Sequence, residues 1–159
     1  MSAREKYEYH LANWSDIQNH LPRLHEAARG VCLEIGVRAG VSTSALLSGI
    51  EEHGGHLYSL DINDCPVFAG HPQWTFIQGD SAKAKLDMEF EVAFIDGDHT
   101  HKGALCDLLK FGTRSKLIFV HDTDAPDYPG VKTAVEEFCK ASQRKVTYHP
   151  GSFGMAEIR

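Results

Sequence analysis

The sequence predicts an α/β fold: one seven-stranded, mostly parallel sheet with an antiparallel C-terminal hairpin, and helices on both faces. Three observations predict it. Short β-rich runs alternate with segments of helical periodicity, the pattern of a parallel sheet covered by helices. Five consecutive runs end at or beside an acidic residue: Glu34, Asp61, Asp80, Asp96 and Asp122. The length of 159 residues suits a single core, and 42% hydrophobic with 24% charged residues is ordinary globular composition.

Residues 1–29 read as a helical N-terminal extension with a break at Pro22, and residues 30–159 as the domain proper. Strand one is Val31–Ile35, closed by Gly36. A helix follows from about Ser42, whose hydroxyl suits a cap, through Ala45, Leu46, Leu47 and Ile50 to a stop at Gly54 and Gly55. Strand two is His56–Leu60, ending on Asp61, and strand three is Trp74–Ile77, ending near Gly79 and Asp80. Strand four, Glu91–Ile95, ends on Asp96 and leads to a helix carrying Ala104, Leu105, Leu108, Leu109 and Phe111. Strand five is Lys116–Val120, ending on His121 and Asp122. A turn-rich loop precedes a helix over Val131–Ser142, and Lys145–Tyr148 with Phe153–Ile158 forms the closing hairpin, so that the last two strands are antiparallel.

A formal net charge of −6 gives no basic field to steer the chain onto phosphates, which disfavours nucleic acid as a partner. No window reaches the length of a membrane span, and the charged, aromatic start from Met1 to His10 lacks the apolar run of a secretory signal. Cys32, Cys65, Cys106 and Cys139 show no paired zinc or redox spacing, the usage expected of a reduced, cytoplasmic protein.

In open α/β sheets the carboxyl edge of the strands is the ligand crevice, and the five acids gather there. Gly36 and Gly40 allow a tight turn and close approach of a ligand to the backbone. Their Glu-x-Gly-x-x-x-Gly spacing is not the Gly-x-Gly-x-x-Gly of dinucleotide binders, and Arg38 stands where such a site needs bare backbone beside a pyrophosphate. Asp61, at the end of strand two, suits the two ribose hydroxyls of a nucleoside cofactor; its bland reading is a turn former before Asn63.

The segments Leu33-Glu-Ile-Gly-Val-Arg-Ala-Gly-Val-Ser-Thr43, Ser59-Leu-Asp61, Gln78-Gly-Asp-Ser81 and Phe94-Ile-Asp-Gly-Asp-His99 resemble the class I S-adenosylmethionine-dependent methyltransferases. More narrowly, they are similar to the methyltransferase domain 24 type and its metal-dependent O-methyltransferase relatives, in the family's order over residues 30–158. The resemblance implies a Rossmann-like sheet, S-adenosylmethionine as cofactor and O-methylation of a small hydroxylated molecule. It implies that Glu34, Gly36 and Gly40 border the methionine part of the cofactor. By the same resemblance Asp61 holds the ribose, Asp80 with Ser81 flanks the adenine, and Asp96 completes the cofactor set.

Carboxylates in Asp96-Gly-Asp-His-Thr-His101 and His121-Asp-Thr-Asp124 stand at two adjacent strand ends, where oxygen ligands suit one hard divalent cation such as Mg²⁺. Such a cation lowers the pKa of a hydroxyl and holds it for attack on a sulfonium methyl. The resemblance assigns Asp96 and Asp122 to the metal and His99 to the general base, a role that a histidine near neutral pKa suits. The family's ligand pair after strand five carries two oxygen-bearing side chains. Here Asp122 is flanked by His121 and Thr123, so the third ligand is either neighbour or a water.

Bland readings stand beside these: His99 and His101 as solvated residues at a helix start, Asp98 as a cap, the remaining histidines as surface groups, and Trp14, Trp74 and Phe76 as core. Two other functions also stand. Asp96, His99, His101, His121 and Asp122 offer the residue types of a two-histidine, one-carboxylate iron site, as in a hydroxylase. A non-catalytic module would keep the S-adenosylmethionine pocket alone. Neither the Asn/Asp-Pro-Pro-Tyr/Phe motif of amino-group methyltransferases nor the Pro-Cys motif of cytosine-C5 enzymes occurs, which points away from DNA. Tyr7, Tyr9, Leu11 and Trp14 suit a lid, a homo-oligomer contact through the N-terminal helices, or plain core packing.

Overall fold

The computed structural model describes residues 1–159. Five strands lie parallel: β1 (Gly30–Ile35), β2 (Gly55–Asp61), β3 (Trp74–Gln78), β4 (Phe90–Ile95) and β5 (Ser115–His121). Two more, β6 (Val146–His149) and β7 (Met155–Ile158), close the chain, and the sheet order is β3-β2-β1-β4-β5-β7-β6. The hairpin is present, but only β7 is reversed. It takes the place beside β5 and is antiparallel to both neighbours, so β6 runs in the common direction.

Helices cover both faces. On one lie α1 (Ala3–Ala12), α2 (Leu21–Ala27) and α3 (Val41–His53), over Cys32, Leu57, Phe94 and Phe119. On the other, α4 (His101–Lys110) and α5 (Pro129–Ser142) pack over Leu33, Ile35, Ile95 and Val120. The alternation of neighbouring residues between the two cores is the period-two signature of strands buried on both faces. Leu46, Leu47 and Ile50 of α3 are fully buried, and each contributes about 1.5–3 kcal/mol by leaving water.

The N-terminal helices belong to the same core. Ala3, Tyr7, Ile17, Leu21 and Leu24 pack with α3 and the sheet, and Tyr7 stacks on His25 with ring centroids 4.6 Å apart. Ser2 and Glu5 form a reciprocal capping box on α1. Pro22 does not break a helix. The interruption falls between α1 and α2, and Pro22 sits in the first turn of α2, where its missing N–H removes no helical bond. Trp14 is not core: it lies in that interruption, 83% exposed, and Tyr9 and Leu11 are also exposed. No helix is long and apolar enough to cross a membrane.

Candidate active site

The register Ile35↔Leu60, Ile35↔Ile95 and Ile95↔Val120 brings the next residues, Gly36, Asp61, Asp96 and His121, into one row along the carboxyl edge. Sheet order reverses between β1 and β4, the point where such sheets open a ligand crevice. Gly36 occupies that point with φ of 93°, and a Cβ there would collide with the carbonyl oxygen of Asp96. Gly40, at φ 78°, is the N-cap residue of α3, so Ser42 is not the cap. Its missing Cβ makes room for Val67.

Gly36, Asp61, Asp80, Ser81 and Asp96 line a cavity of about 470 Å³, a size suited to a small-molecule ligand. Ile62, 70% exposed, also borders this cavity. No motif in the sequence includes it, and its only local signal is an apolar residue directly after a strand-end acid. Asp61 Oδ2 accepts N–H bonds from Val37 at 2.8 Å and Arg38 at 3.1 Å, and Oδ1 accepts from Asn63 at 2.9 Å. Burial opposes its charge, but these donors prevail and hold its pKa below the ordinary value. Asp61 therefore ties the loop after β1 to the end of β2 while lining the cavity. Asp80 accepts from Ala82 N at 2.9 Å, and Lys110 of α4 donates to the carbonyls of Ser81 at 2.7 Å and Ala82 at 2.8 Å.

Glu34 does not line that cavity. Alternation along β1 turns it under the first turn of α3, where it is wholly buried and outside the cavity. It accepts hydroxyl hydrogen bonds from Ser42 at 2.6 Å, Thr43 at 2.9 Å and Ser59 at 2.6 Å. Burial outweighs these donors and pushes its pKa up to about 7.

At the other end of the crevice, Asp96, His121 and Asp122 offer ligand atoms all within 4.8 Å of one another. His99 Nε2 lies 2.8 Å from Asp122 Oδ2 and 3.3 Å from Asp96 Oδ1, and its ring stacks on Tyr128 at 4.3 Å. Asp122 and Asp96, with no cation beside them, raise His99 to about 9. Burial alone would raise the Asp122 carboxyl, yet His121 and His99 hold it well below the usual range. His121 is not a surface group either. It is buried, as is His20, whose ring meets it edge-on at 5.9 Å. His101 faces away and pairs with Glu137 at 2.9 Å, so no iron set that includes it is assembled. Asp98 serves the backbone, accepting from Thr100 N at 2.8 Å. A second cavity of about 240 Å³ adjoins His99 and Asp122 and is bordered by Asp16, Arg38, Tyr128 and Phe153.

A groove of about 460 Å³ at the opposite end of the sheet is of similar volume. Its charges are largely neutralised in pairs, Lys116 with Glu91 and Arg23 with Glu157, and it gathers no row of strand-end acids. The acidic row lies at the carboxyl edge.

That sheet order, with β7 alone reversed and the crevice between β1 and β4, defines a class I S-adenosylmethionine-dependent methyltransferase. Residues 33–123, more than half of the chain, match the family described as Methyltransferase domain, the type-24 group, and the chain belongs to that family. No curated protein matches by sequence. Among solved structures, the S-adenosylhomocysteine-bound methyltransferase PaMTH1 of Podospora anserina is similar at 18% identity and a TM-score of 0.70, over 99% of this chain and 86% of that one. The O-methyltransferase of Bacillus cereus, also bound to S-adenosylhomocysteine, is similar at 15% identity and a TM-score of 0.61, over 98% and 89%. CalS11, a TDP-rhamnose 3′-O-methyltransferase of calicheamicin biosynthesis, is similar at 15% identity and a TM-score of 0.67, over 89% and 76%.

Proposed function

We propose that the protein transfers the methyl group of S-adenosylmethionine to a hydroxyl of a small molecule, assisted by a divalent cation. The observation that carries this is the convergence of Asp96, Asp122 and His121 beside the larger cavity, with His99 at hydrogen-bond distance from Asp122. The donor set fits a cation on its own chemistry: two carboxylates face a buried imidazole nitrogen, His121 Nδ1, that has no hydrogen-bond partner. That CalS11 is a TDP-rhamnose 3′-O-methyltransferase supports a small hydroxylated acceptor.

S-adenosylmethionine supplies an electrophilic methyl group, and a cation supplies Lewis acidity toward the acceptor oxygen. The protein does the rest. Gly36 leaves the crevice open to a ligand at the sheet reversal, Asp61 with Asn63 shapes the wall beside β2, and Ser81 and Ile62 line the wall farther along. Asp96 and Asp122 orient the acceptor's end of the site. His99 Nε2 receives the hydroxyl proton once its two carboxylates are engaged elsewhere, because those carboxylates are what hold it protonated. Tyr128 stacks on His99 and keeps its ring facing Asp122.

The test is methyl transfer from labelled S-adenosylmethionine to a panel of catechols and hydroxylated sugars, with and without added divalent metal. Metal-dependent turnover that is lost in His99→Gln, with S-adenosylhomocysteine affinity retained, is the expected result. Tight cofactor binding without transfer to any hydroxyl under any metal would leave the binding-module reading instead.

A further inference from the structure

We propose that the cation site is a two-carboxylate, one-imidazole site, Asp96, Asp122 and His121, and that it selects Fe²⁺, Co²⁺ or Zn²⁺ over Mg²⁺. The role of the metal rests on the methyl-transfer reading above; its binding does not.

The ring orientation of His121 follows from one bond. Nε2 lies 2.8 Å from the carbonyl oxygen of Ser152, which can only accept, so Nε2 carries the hydrogen and Nδ1 faces the carboxylates. Nδ1 is 3.4 Å from Asp96 Oδ1 and 3.4 Å from Asp122 Oδ1, yet it is aligned with neither and has no partner, on a side chain only 1% exposed. Leaving a buried polar atom unpaired costs about 1–3 kcal/mol. Without a cation the two carboxylates, against the effect of burial, push His121 up to about 10 and favour a proton on Nδ1; a cation between them would displace that proton and take the nitrogen lone pair as a ligand. Metal-binding histidines characteristically donate the other ring N–H to a carbonyl or carboxylate, as His121 does.

Two backbone features make the same arrangement. Neighbouring residues at a strand end point to opposite sides, so His121 and Asp122 should diverge. They converge because Asp122 adopts φ of 63°, a left-handed conformation uncommon for a non-glycine residue. The carbonyl that orients His121 comes from a turn in which Ser152 and Phe153 also have positive φ, 44° and 62°. That turn is held from the N-terminal side by Asn19 N donating to Ser152 Oγ at 3.2 Å, and by Asp124 N donating to the Phe153 carbonyl at 2.7 Å. Asp122, Ser152 and Phe153, three non-glycine residues in the left-handed region, thus adjoin His121 in the chain or belong to the turn that holds its Nε2.

Selectivity follows from the donor types. Mg²⁺ favours oxygen ligands throughout, whereas an imidazole nitrogen suits the later first-row metals, whose affinity for mixed nitrogen and oxygen sites rises along the row. The experiment uses metal-free protein titrated calorimetrically with CoCl₂, ZnCl₂ and MgCl₂, with ¹⁵N resonances of the histidine rings followed on Zn²⁺ addition. Co²⁺ and Zn²⁺ are expected to bind at least about ten-fold more tightly than Mg²⁺, with His121 Nδ1 shifting and Nε2 staying protonated. His121→Asp, an all-oxygen set, is expected to bring the Co²⁺ to Mg²⁺ affinity ratio down about ten-fold or more. The ring spectra of the unaltered protein decide the matter even if that variant does not fold. Mg²⁺ binding as tight as Co²⁺, or a His121 Nδ1 resonance unmoved by saturating Zn²⁺, overturns the assignment. S-adenosylhomocysteine titrated into the same samples separates the two readings: a Zn²⁺ shift at His121 without cofactor binding supports this site and defeats methyl transfer.

Discussion

Asp61 Oδ2 accepts the backbone N–H of Val37 at 2.8 Å, so the acid that ends β2 holds the loop that leaves β1. Arg38 and Asn63 donate to the same carboxylate, at 3.1 Å and 2.9 Å. One side chain thus shapes two adjacent walls of the cavity of about 470 Å³.

Asp61→Ala should therefore do two things at once. It strands several backbone donors near the surface, a loss of about 1–3 kcal/mol in unfolding free energy, read from the urea midpoint. It also weakens S-adenosylhomocysteine binding in calorimetry. A variant that loses stability but keeps full cofactor affinity would assign Asp61 to the scaffold alone.

Glu34 should make stability fall with rising pH. Its folded pKa of about 7 stands above the ordinary 4.5, so between those values the folded state holds a proton that the unfolded state has released. Unfolding free energy then decreases as pH climbs through this window, with the penalty complete above about 7, in total on the order of 3 kcal/mol for so buried a group. Glu34→Gln keeps the shape and removes the charge, and the hydroxyl of Ser59 can accept as well as donate. The difference in melting temperature between parent and variant should widen from pH 4.5 to 7, in favour of the variant. A constant difference would refute the assignment.

Gly36→Ala should be far more harmful than Gly70→Ala. Both glycines have positive φ, 93° and 84°, so alanine is strained at either. That strain costs about 1–2 kcal/mol. At Gly70 nothing lies within 4 Å of the added methyl, whereas at Gly36 it meets the backbone of Asp96. Since β1 and β4 would have to separate there, Gly36→Ala is expected to lose at least about 2 kcal/mol more than Gly70→Ala, together with cofactor binding.

Lys110→Met removes the ammonium that holds the carbonyls of Ser81 and Ala82 from α4. The lysine is partly exposed, so the expected cost is about 1 kcal/mol. If that loss falls on the ordering of the Ser81 wall, cofactor affinity declines about five-fold with little change in turnover at saturation. Equal losses in kcat and in kcat/KM would contradict a purely positioning role.

Much of the fold was legible in the residues because parallel strands buried on both faces read as apolar runs, and each run here stops at a polar residue. Val31–Ile35 and Lys116–Val120 needed only a residue or two added at their ends. Pro22 misled because a proline reads alike as a helix breaker and as a helix starter, and only the packing of Leu21 and Leu24 into the core decides which. Trp14 misled because a large apolar residue is ordinarily buried, whereas the interruption after α1 carries it out to solvent.

At the site, the sequence by itself determined the row Gly36, Asp61 and Asp96, because in a parallel sheet of nearly equal strands the residues that end each strand fall side by side. It also brought His99 within reach of Asp96 by their spacing. Only the tertiary structure decided where Glu34 and His121 turn. Glu34 goes under α3 because three hydroxyls wait there, two from that helix and one from β2. His121 faces inward because Asp122 breaks the strand's alternation and because a turn at Ser152, distant in the chain, supplies the carbonyl that its Nε2 requires. Those are contacts between segments far apart in sequence, and no local pattern encodes them.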